Sequence, residues 1–304
     1  MKTGKKILVL GGTGMLGWAT ASILSHRPDY NVTATYNSSQ PLNLPHITWQ
    51  RHDCLSFQPN SIEGFDYVIN CLGLIRQRIG KDNLEHHIRA IAVNAQFPHR
   101  LALACEKYDV KCIAIATDCV FSGLDAPFKE TNPHTPTDIY AASKSLGEVS
   151  SDNMAHIRCS VVGQEWSQAP VSLMSWILSQ PSGKHVSGYI DHLWNGVTNM
   201  QFAKVLAGMI EHDIFWSGTQ HLVPGSKANK AELLKIIASS FGRTDIVIEP
   251  AQSGHPSNRL LATIDESRNS ALWQAAGYDR PPSIPAMIQE LASGTAQIQP
   301  QDAI

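Results

Sequence analysis

Along the first half of the chain, apolar residues fall into two alternating kinds of run. Ile7-Leu8-Val9-Leu10 is short, continuous and ended by Gly11-Gly12, the mark of a buried strand. From Gly14 to His26, the apolar positions Leu16, Ala19, Ile23 and Leu24 recur at helical spacing. Asn31–Tyr36 is β-branched and aromatic and predicts a second strand, Ile47–His52 a third, and Asp66–Cys71 a fourth. Helical spacing then covers Asn83 to Tyr108. A fifth strand is expected over Lys111–Ala116, a helix from Ile139 to Asn153, and a sixth strand over Ala155–Val162. Strand–helix alternation of this kind requires crossover connections. It predicts a Rossmann-type, doubly wound α/β domain with a parallel sheet over residues 1–163.

The pattern changes after Gly163. Helical stretches at Val171–Leu178, Asn199–Glu211 and Lys230–Phe241 are separated by short strand candidates, His185–Gly188, Gln220–Val223 and Asp245–Ile248. Trp166, Trp176, Trp194 and Trp216 cluster here. The expectation is a smaller mixed α/β lobe over 164–291 that binds substrate, with some segments returning to the first domain. Residues 292–304 have low hydrophobicity and no period, and are expected to be a disordered tail.

Composition narrows the function classes. The chain has 304 residues, 43% hydrophobic and 16% charged, with a formal net charge of -2. That is an ordinary globular chain with a core, and its near-neutral balance gives no reason to expect nucleic acid or an anionic membrane as partner. The apolar run at the N-terminus is too short for a signal peptide or a membrane span, so a cytoplasmic location is expected. The six cysteines form no CxxC pair and sit mostly in apolar runs, as free buried thiols do. The 13 histidines show no metal-ligand spacing, so no metal site is expected.

Candidate chemistry begins at Gly11, Gly14 and Gly17. They follow a strand and open a helix, where small residues let the backbone approach a pyrophosphate and the helix N-terminus offers free N–H groups. Gly11, Thr13, Gly14, Met15, Leu16 and Gly17 are the candidate turn residues for a nicotinamide dinucleotide. The second strand ends Thr35-Tyr36-Asn37-Ser38-Ser39, with no carboxylate to repel a ribose 2′-phosphate. With Tyr36, Asn37 and Ser38 there, NADP is expected over NAD, which is not excluded. Asp53 is either an acceptor for the adenine amino group or a turn aspartate.

Tyr140 and Lys144 stand at i and i+4, on one helix face. An ammonium beside a phenol lowers its pKa and suits Tyr140 to general-acid work on a carbonyl. Thr117 follows the fifth strand directly, at the sheet edge where open α/β folds bind ligands.

These residues carry a resemblance. Thr117-Asp118-Cys119-Val120-Phe121-Ser122-Gly123, Lys129-Glu130-Thr131, Pro136, Tyr140, Ser143-Lys144 and Gly147-Glu148 resemble the extended short-chain dehydrogenase/reductases, within them the dTDP-4-dehydrorhamnose reductase group. Val68-Ile69-Asn70, Asn94 with Pro98, and Ile157-Arg158-Cys159-Ser160-Val161-Val162-Gly163 extend the likeness. Trp194-Asn195-Gly196-Val197-Thr198 and Ser257-Asn258-Arg259 match more loosely. The resemblance implies that Thr117 polarises a keto oxygen, Tyr140 donates the proton, and Lys144 holds the nicotinamide ribose. It places Cys71, Leu72, Gly73 and Asn94 at the coenzyme, Asn94 supporting a relay water or a nearby backbone position. Thr117 and Cys119 would face the substrate; apart from the resemblance, Arg259 either holds a diphosphate with its guanidinium fork or forms a surface ion pair, and Trp194 either lines the sugar pocket or packs in the core.

The implied activity is NADPH-dependent reduction of the 4-keto group of a nucleotide-activated deoxysugar, serving surface polysaccharide synthesis, in a chain free to form a homodimer. Cys119 departs from the group's usual tyrosine, and Cys71-Leu72-Gly73-Leu74-Ile75 from its small polar stretch, so the sugar can differ. Two alternatives stand beside it: a non-catalytic, NADP-binding regulatory subunit resembling methionine adenosyltransferase β, and a sugar-nucleotide epimerase of the same superfamily. A dehydratase fits poorly, because Cys119 follows Asp118 where a glutamate would be needed.

Overall fold

Strand β1 (Lys5–Leu10) lies near the middle of a seven-stranded parallel sheet and shows why its apolar run is continuous. Ile7 and Val9 enter the core on one face, Leu8 and Leu10 the core on the other. The computed structural model describes residues 4–39, 41, 43–166 and 169–298. The strands that follow are β2 (Tyr30–Tyr36), β3 (Ile47–Arg51), β4 (Tyr67–Asn70), β5 (Lys111–Ala116) and β6 (Met154–Arg158). In space they run β6-β5-β4-β1-β2-β3, with the segment Gly218–His221 added beside β6. This is the doubly wound α/β fold that the alternation predicts.

Helix α1 (Met15–Ser25) leaves the glycine turn. Helix α2 (Leu84–Ile91) is capped by Asn83, whose side chain accepts from the His86 amide, and it presents Leu84 and Ile88 to solvent. The single helix expected over 83–108 is interrupted. A π-helical turn, Ala92–Gln96, separates α2 from α3 (Phe97–Tyr108). Pro98 accounts for the break: without an N–H it cannot bond to the Asn94 carbonyl four residues back. Gly147 packs against that carbonyl, and any Cβ there would overlap it.

Helix α4 (Ile139–Leu146) is shorter than expected, stopping at Gly147 instead of reaching Asn153. The sixth strand is also split. β6 ends at Arg158, and Val161–Val162 pairs instead with Val197–Thr198.

In the second half, α5 (Leu173–Leu178), α6 (Asn199–Glu211), α7 (Lys230–Ser240), α8 (Glu266–Ala275) and α9 (Ile284–Ile298) surround small sheets. His192–Trp194 pairs with Ala228–Asn229 and Ser257–Asn258, and His185–Tyr189 with Val247–Ala251. Two segments return to the first sheet. Gly218–His221 joins its edge, where the sequence pattern placed a lobe strand. Helix α6, buried along most of its length, packs on α1 in the larger core. Helix α9 corrects the expected tail: residues 292–298 are helical, because Ile284, Met287, Ile288 and Leu291 bury one stripe of it. Residues 299–304 lie outside the described residues. Among the described residues, no helix is long and apolar enough to cross a membrane, and no cluster of side chains has metal-ligand geometry.

Candidate functional site

The glycine turn is shaped by close backbone packing. Gly11 takes a φ of 79° and lies against Leu72, while a Cβ on Gly17 would overlap the Gly11 carbonyl. Thr35, from β2, fixes the turn at two points. Its Oγ1 accepts from the Gly11 amide (2.9 Å), and its carbonyl from the Gly12 amide (2.8 Å). Gly14 caps α1 without a side-chain bond, and the helix has no acidic residue in its first turn. The first-turn N–H groups have no intrahelical acceptor and point past exposed Gly14. A pyrophosphate fits this cradle, since the glycines clear its approach and the helix N-terminus supplies donors.

At the adenosine end, Asn37 and Ser38 are exposed and Tyr36 half-buried. The register sets Arg51, at the end of β3, directly beside Tyr36. The sequence pattern missed this arginine because fifteen residues separate the two. Asp53 takes the turn role: its side chain accepts from the Leu55 amide (3.0 Å) and caps a short 3₁₀ turn.

Asn94 is 1% exposed, turned inward by the π-helical turn. Its Oδ1 accepts from the Leu74 amide (2.8 Å), and its Nδ2 donates to the Leu74 carbonyl (2.9 Å) and to Ser143 Oγ (3.1 Å). It thus ties the Cys71–Leu74 segment to α4, the backbone-supporting alternative expected of it. Leu72 donates its amide to Asn70 Oδ1 (3.1 Å), and Gly73 is exposed at the rim.

Thr117, Tyr140 and Lys144 converge at the carboxyl end of β5. Thr117 Oγ1 accepts from the Cys119 amide (3.2 Å) and donates toward Asp118 Oδ1 (3.3 Å), and its hydroxyl lies near enough to the half-buried Tyr140 phenol to act on it. Asp138 caps α4 by accepting from the Ala141 amide (2.8 Å), which aims this face of the helix at Thr117. Arg76 pairs with Asp138 (2.7 Å) and lies over the Tyr140 ring, 5.8 Å from its centroid.

One expectation is corrected here. In the protein alone, the Tyr140 pKa is raised, not lowered. Burial is the main cause and Cys119 adds to it, while the Thr117 hydroxyl and Arg76 oppose. Lys144 does not act on the phenol in this arrangement: its Nζ donates to the Ile115 carbonyl (3.0 Å), and burial lowers its own pKa against the pull of Glu148 and Cys71.

A family model described as RmlD substrate binding domain matches residues 5–276. The chain belongs to this family. Over 186 residues it is 32% identical to a dTDP-4-dehydrorhamnose reductase of Mycobacterium tuberculosis (strain CDC 1551 / Oshkosh), covering 59% of this chain and 53% of that protein. Over 148 residues it is 30% identical to methionine adenosyltransferase 2 subunit beta of Danio rerio, covering 47% and 42%. The chain therefore spans about half the length, or less, of these relatives. The fold matches the crystal structure of a dTDP-4-dehydrorhamnose reductase from Bacillus anthracis str. Ames in complex with NADP, with a TM-score of 0.70 at 17% identity over 95% of this chain and 98% of that one.

In this RmlD-family chain the second half closes over the Thr117 corner. Arg259 donates from Nε to the Phe121 carbonyl (3.1 Å), and its charge acts on Asp118 and Cys119. Lys230, which the sequence pattern did not single out, acts on the same two residues from the first turn of α7. Asp118 is 7% exposed, and burial raises its pKa against Arg259 and Lys230. Burial likewise pushes the Cys119 thiol up to about 11, so it stays protonated near neutrality. Trp194 is 5% exposed and packs against Gly196 in the core. Trp166 stacks at a tilt on Trp18 (5.3 Å), and Trp176 is a surface residue.

Proposed function

We propose that this chain is an NADPH-dependent reductase acting on the 4-keto group of a nucleotide-activated deoxysugar. The convergence of Thr117, Tyr140 and Lys144 at the carboxyl end of β5 carries this reading: a hydroxyl and a phenol, twenty-three residues apart, lie close enough for the one to act on the other, beside Lys144, where parallel strands can open onto a ligand. When bound, a nicotinamide coenzyme supplies the hydride. Gly11, Thr13, Gly14, Met15, Leu16 and Gly17 would hold its pyrophosphate, Cys71, Leu72 and Gly73 would flank it, and Lys144 would turn from the Ile115 carbonyl to its ribose.

The chain's own residues do the rest. Thr117 donates a hydrogen bond to the keto oxygen, and Tyr140 gives the nascent alkoxide its proton. The raised pKa keeps the phenol protonated and ready to donate. Arg259 and Lys230 hold the substrate's diphosphate beside Asp118 and Cys119. Arg51, beside Tyr36, Asn37 and Ser38, favours the ribose 2′-phosphate of NADPH.

A screen of 4-keto sugar nucleotides with NADPH and NADH, followed by product NMR, tests both parts. Turnover with a lower KM for NADPH, and an Arg51→Ala variant that loses that preference, is the expected result. Absence of turnover with every 4-keto sugar nucleotide would overturn the reductase reading, and a clear NADH preference the coenzyme assignment. The regulatory reading is favoured by the likeness to methionine adenosyltransferase 2 subunit beta. A stoichiometric protein partner in a pull-down, together with no turnover, would establish it. The reading also includes a 1–163 coenzyme domain, a 164–291 lobe with returning segments, a cytoplasmic setting that feeds surface polysaccharide, and a homodimer checked by sedimentation.

A further inference from the structure

Glu130 entered through the resemblance alone, and the proposed chemistry leaves it unused. It is half-buried, and its carboxylate collects donors from two distant parts of the chain. Oε1 accepts from the Thr263 hydroxyl (2.6 Å), the His221 amide (2.9 Å) and Gln220 Nε2 (3.3 Å), and Oε2 accepts from the Ile264 amide (2.9 Å). Gln220 and Thr263 are themselves 1% and 5% exposed, and Gln220 Nε2 also donates to Thr263 Oγ1 (2.7 Å). The Thr263 hydroxyl proton is therefore left for the carboxylate. Burial raises the Glu130 pKa, but the hydroxyl and the two amides outweigh it and hold the carboxyl below its ordinary value.

Thr263 and Ile264 end a strap, residues 257–264, that lies alongside the segment joining Thr117 to Tyr140. The two run parallel, paired through Phe128 and Leu261. The Phe128 amide donates to the Leu260 carbonyl (2.9 Å), and the Ala262 amide to the Phe128 carbonyl (2.8 Å). At the near end, the Asn258 amide donates to the Gly123 carbonyl (2.8 Å), and Arg259 Nε to the Phe121 carbonyl. Asn195 holds the middle, accepting from the Leu261 amide (2.9 Å) and donating to its carbonyl (2.7 Å). A slip of one residue in such a pairing moves a strand by about 3.3 Å and turns each side chain to the opposite face. Arg259 would then leave the Thr117 corner.

The far end of the strap is also tied to the sheet edge. His221 gives Glu130 its amide, and its ring Nδ1 donates to the Ala262 carbonyl (2.6 Å). Its Nε2 accepts from Arg158 Nη1 (2.7 Å), since a guanidinium has no lone pair to offer. Arg158, 1% exposed at the end of β6, is held in turn by Glu148 and by His134 Nε2 (2.8 Å). One carboxylate thus joins its own loop, the segment Gly218–His221 and the strap.

We propose that Glu130 is a positioning residue: it pins the register of the 257–264 strap against the sheet edge and so sets where the Arg259 guanidinium stands. The proposal rests on the reading of Arg259 as a diphosphate holder, but its first test needs no ligand. Glu130→Gln keeps the size of the side chain and turns one acceptor oxygen into an NH2 that faces donors. Phenylglyoxal labelling of the full chain, read by peptide mass spectrometry, reports how freely each guanidinium is reached. The rate at Arg259 should rise about tenfold in Glu130→Gln and about threefold in the milder Thr263→Val. The rate at Arg243, bound to Asp245 elsewhere in the lobe, should stay at the wild-type value. The second test is a double-mutant cycle on dTDP and UDP affinity by calorimetry. Arg259→Ala and Glu130→Gln should each weaken binding about tenfold, and the double variant no more than Arg259→Ala alone, because Glu130 acts through Arg259. NADPH affinity should not change in Glu130→Gln. An Arg259 labelling rate equal to wild type in either folded variant, or additive losses in the double variant, would overturn the proposal. If labelling rises as expected but neither dTDP nor UDP binds the wild type, the diphosphate reading falls and the pin stands.

Discussion

The glycine turn and the Thr117 corner open at the same edge of one parallel sheet, after β1 and β5, yet they are built from opposite materials. The turn is made of missing side chains. Gly11 and Gly17 come so close that no Cβ fits, and Thr35 ties the backbone down with one hydroxyl and one carbonyl. The corner is made of polar side chains, Thr117 and Asp118 buried and Tyr140 and Lys144 half-buried, with the Arg158–Glu148 pair behind them. The first should therefore fail when an atom is added, the second when a charge or a hydroxyl is removed.

The largest expected effect tests the corner. Tyr140→Phe removes one oxygen and should lower kcat by about 10²- to 10⁴-fold, the range for losing a general acid, while NADPH affinity measured by fluorescence titration changes little. An unaltered kcat would detach Tyr140 from the chemistry. Next comes the turn. Gly17→Ala should weaken NADPH binding by roughly a hundredfold and lower the melting temperature, because the new methyl displaces the Gly11 carbonyl. Gly14→Ala is the control. Its Cβ would lie 3.4 Å from the same carbonyl, an ordinary contact, so that fold should melt close to wild type. Equal melting losses in both would show that the turn does not depend on close approach.

A third test uses pH. Burial beside Arg158 pushes His221 down to about 4 from the ordinary 6.5. As pH falls below 6.5 the unfolded chain takes up the proton first, so stability is full above 6.5 and is lost as pH drops toward 4. The loss is about 3 kcal/mol in all. Urea midpoints at pH 7 and pH 4.5 should therefore diverge in wild type and lie closer together in His221→Gln. His134 and His156, also lowered by burial, preserve part of the slope. Parallel slopes in the two proteins would remove His221 from the account. The smallest effect returns to the turn: Thr35→Val leaves the Gly11 amide without its acceptor and should cost about 1 kcal/mol, with a few-fold rise in the NADPH Kd.

The same contrast explains what could be read in advance. Buried parallel strands are continuous apolar runs, so β1, β4 and β5 stand out in the sequence, and the glycine turn is a local pattern at fixed spacing. Tyr140 and Lys144 share a helix and are legible for that reason. Arg51 beside Tyr36, Lys230 near Asp118, and Arg158 between two histidines are products of strand register and of segments that return from far along the chain. No local period records such pairings. Helix ends were misjudged for a related reason. Gly147 stops α4 because it meets the Asn94 carbonyl across the fold, and α9 persists because a long-range core accepts its apolar stripe.

The segment Gly218–His221 has a consequence for how the chain comes into being. It closes the sheet beside β6, and it lies about sixty residues downstream of that strand. During synthesis the first half leaves the ribosome with the edge of β6 unpaired, and Arg158 there lacks its acceptor His221. An unpaired edge is a template for another chain. Translation of the stretch from β6 to residue 221 is therefore also the interval in which a nascent copy is most exposed to pairing with a neighbour, and release of a product truncated before residue 218 would make that exposure permanent.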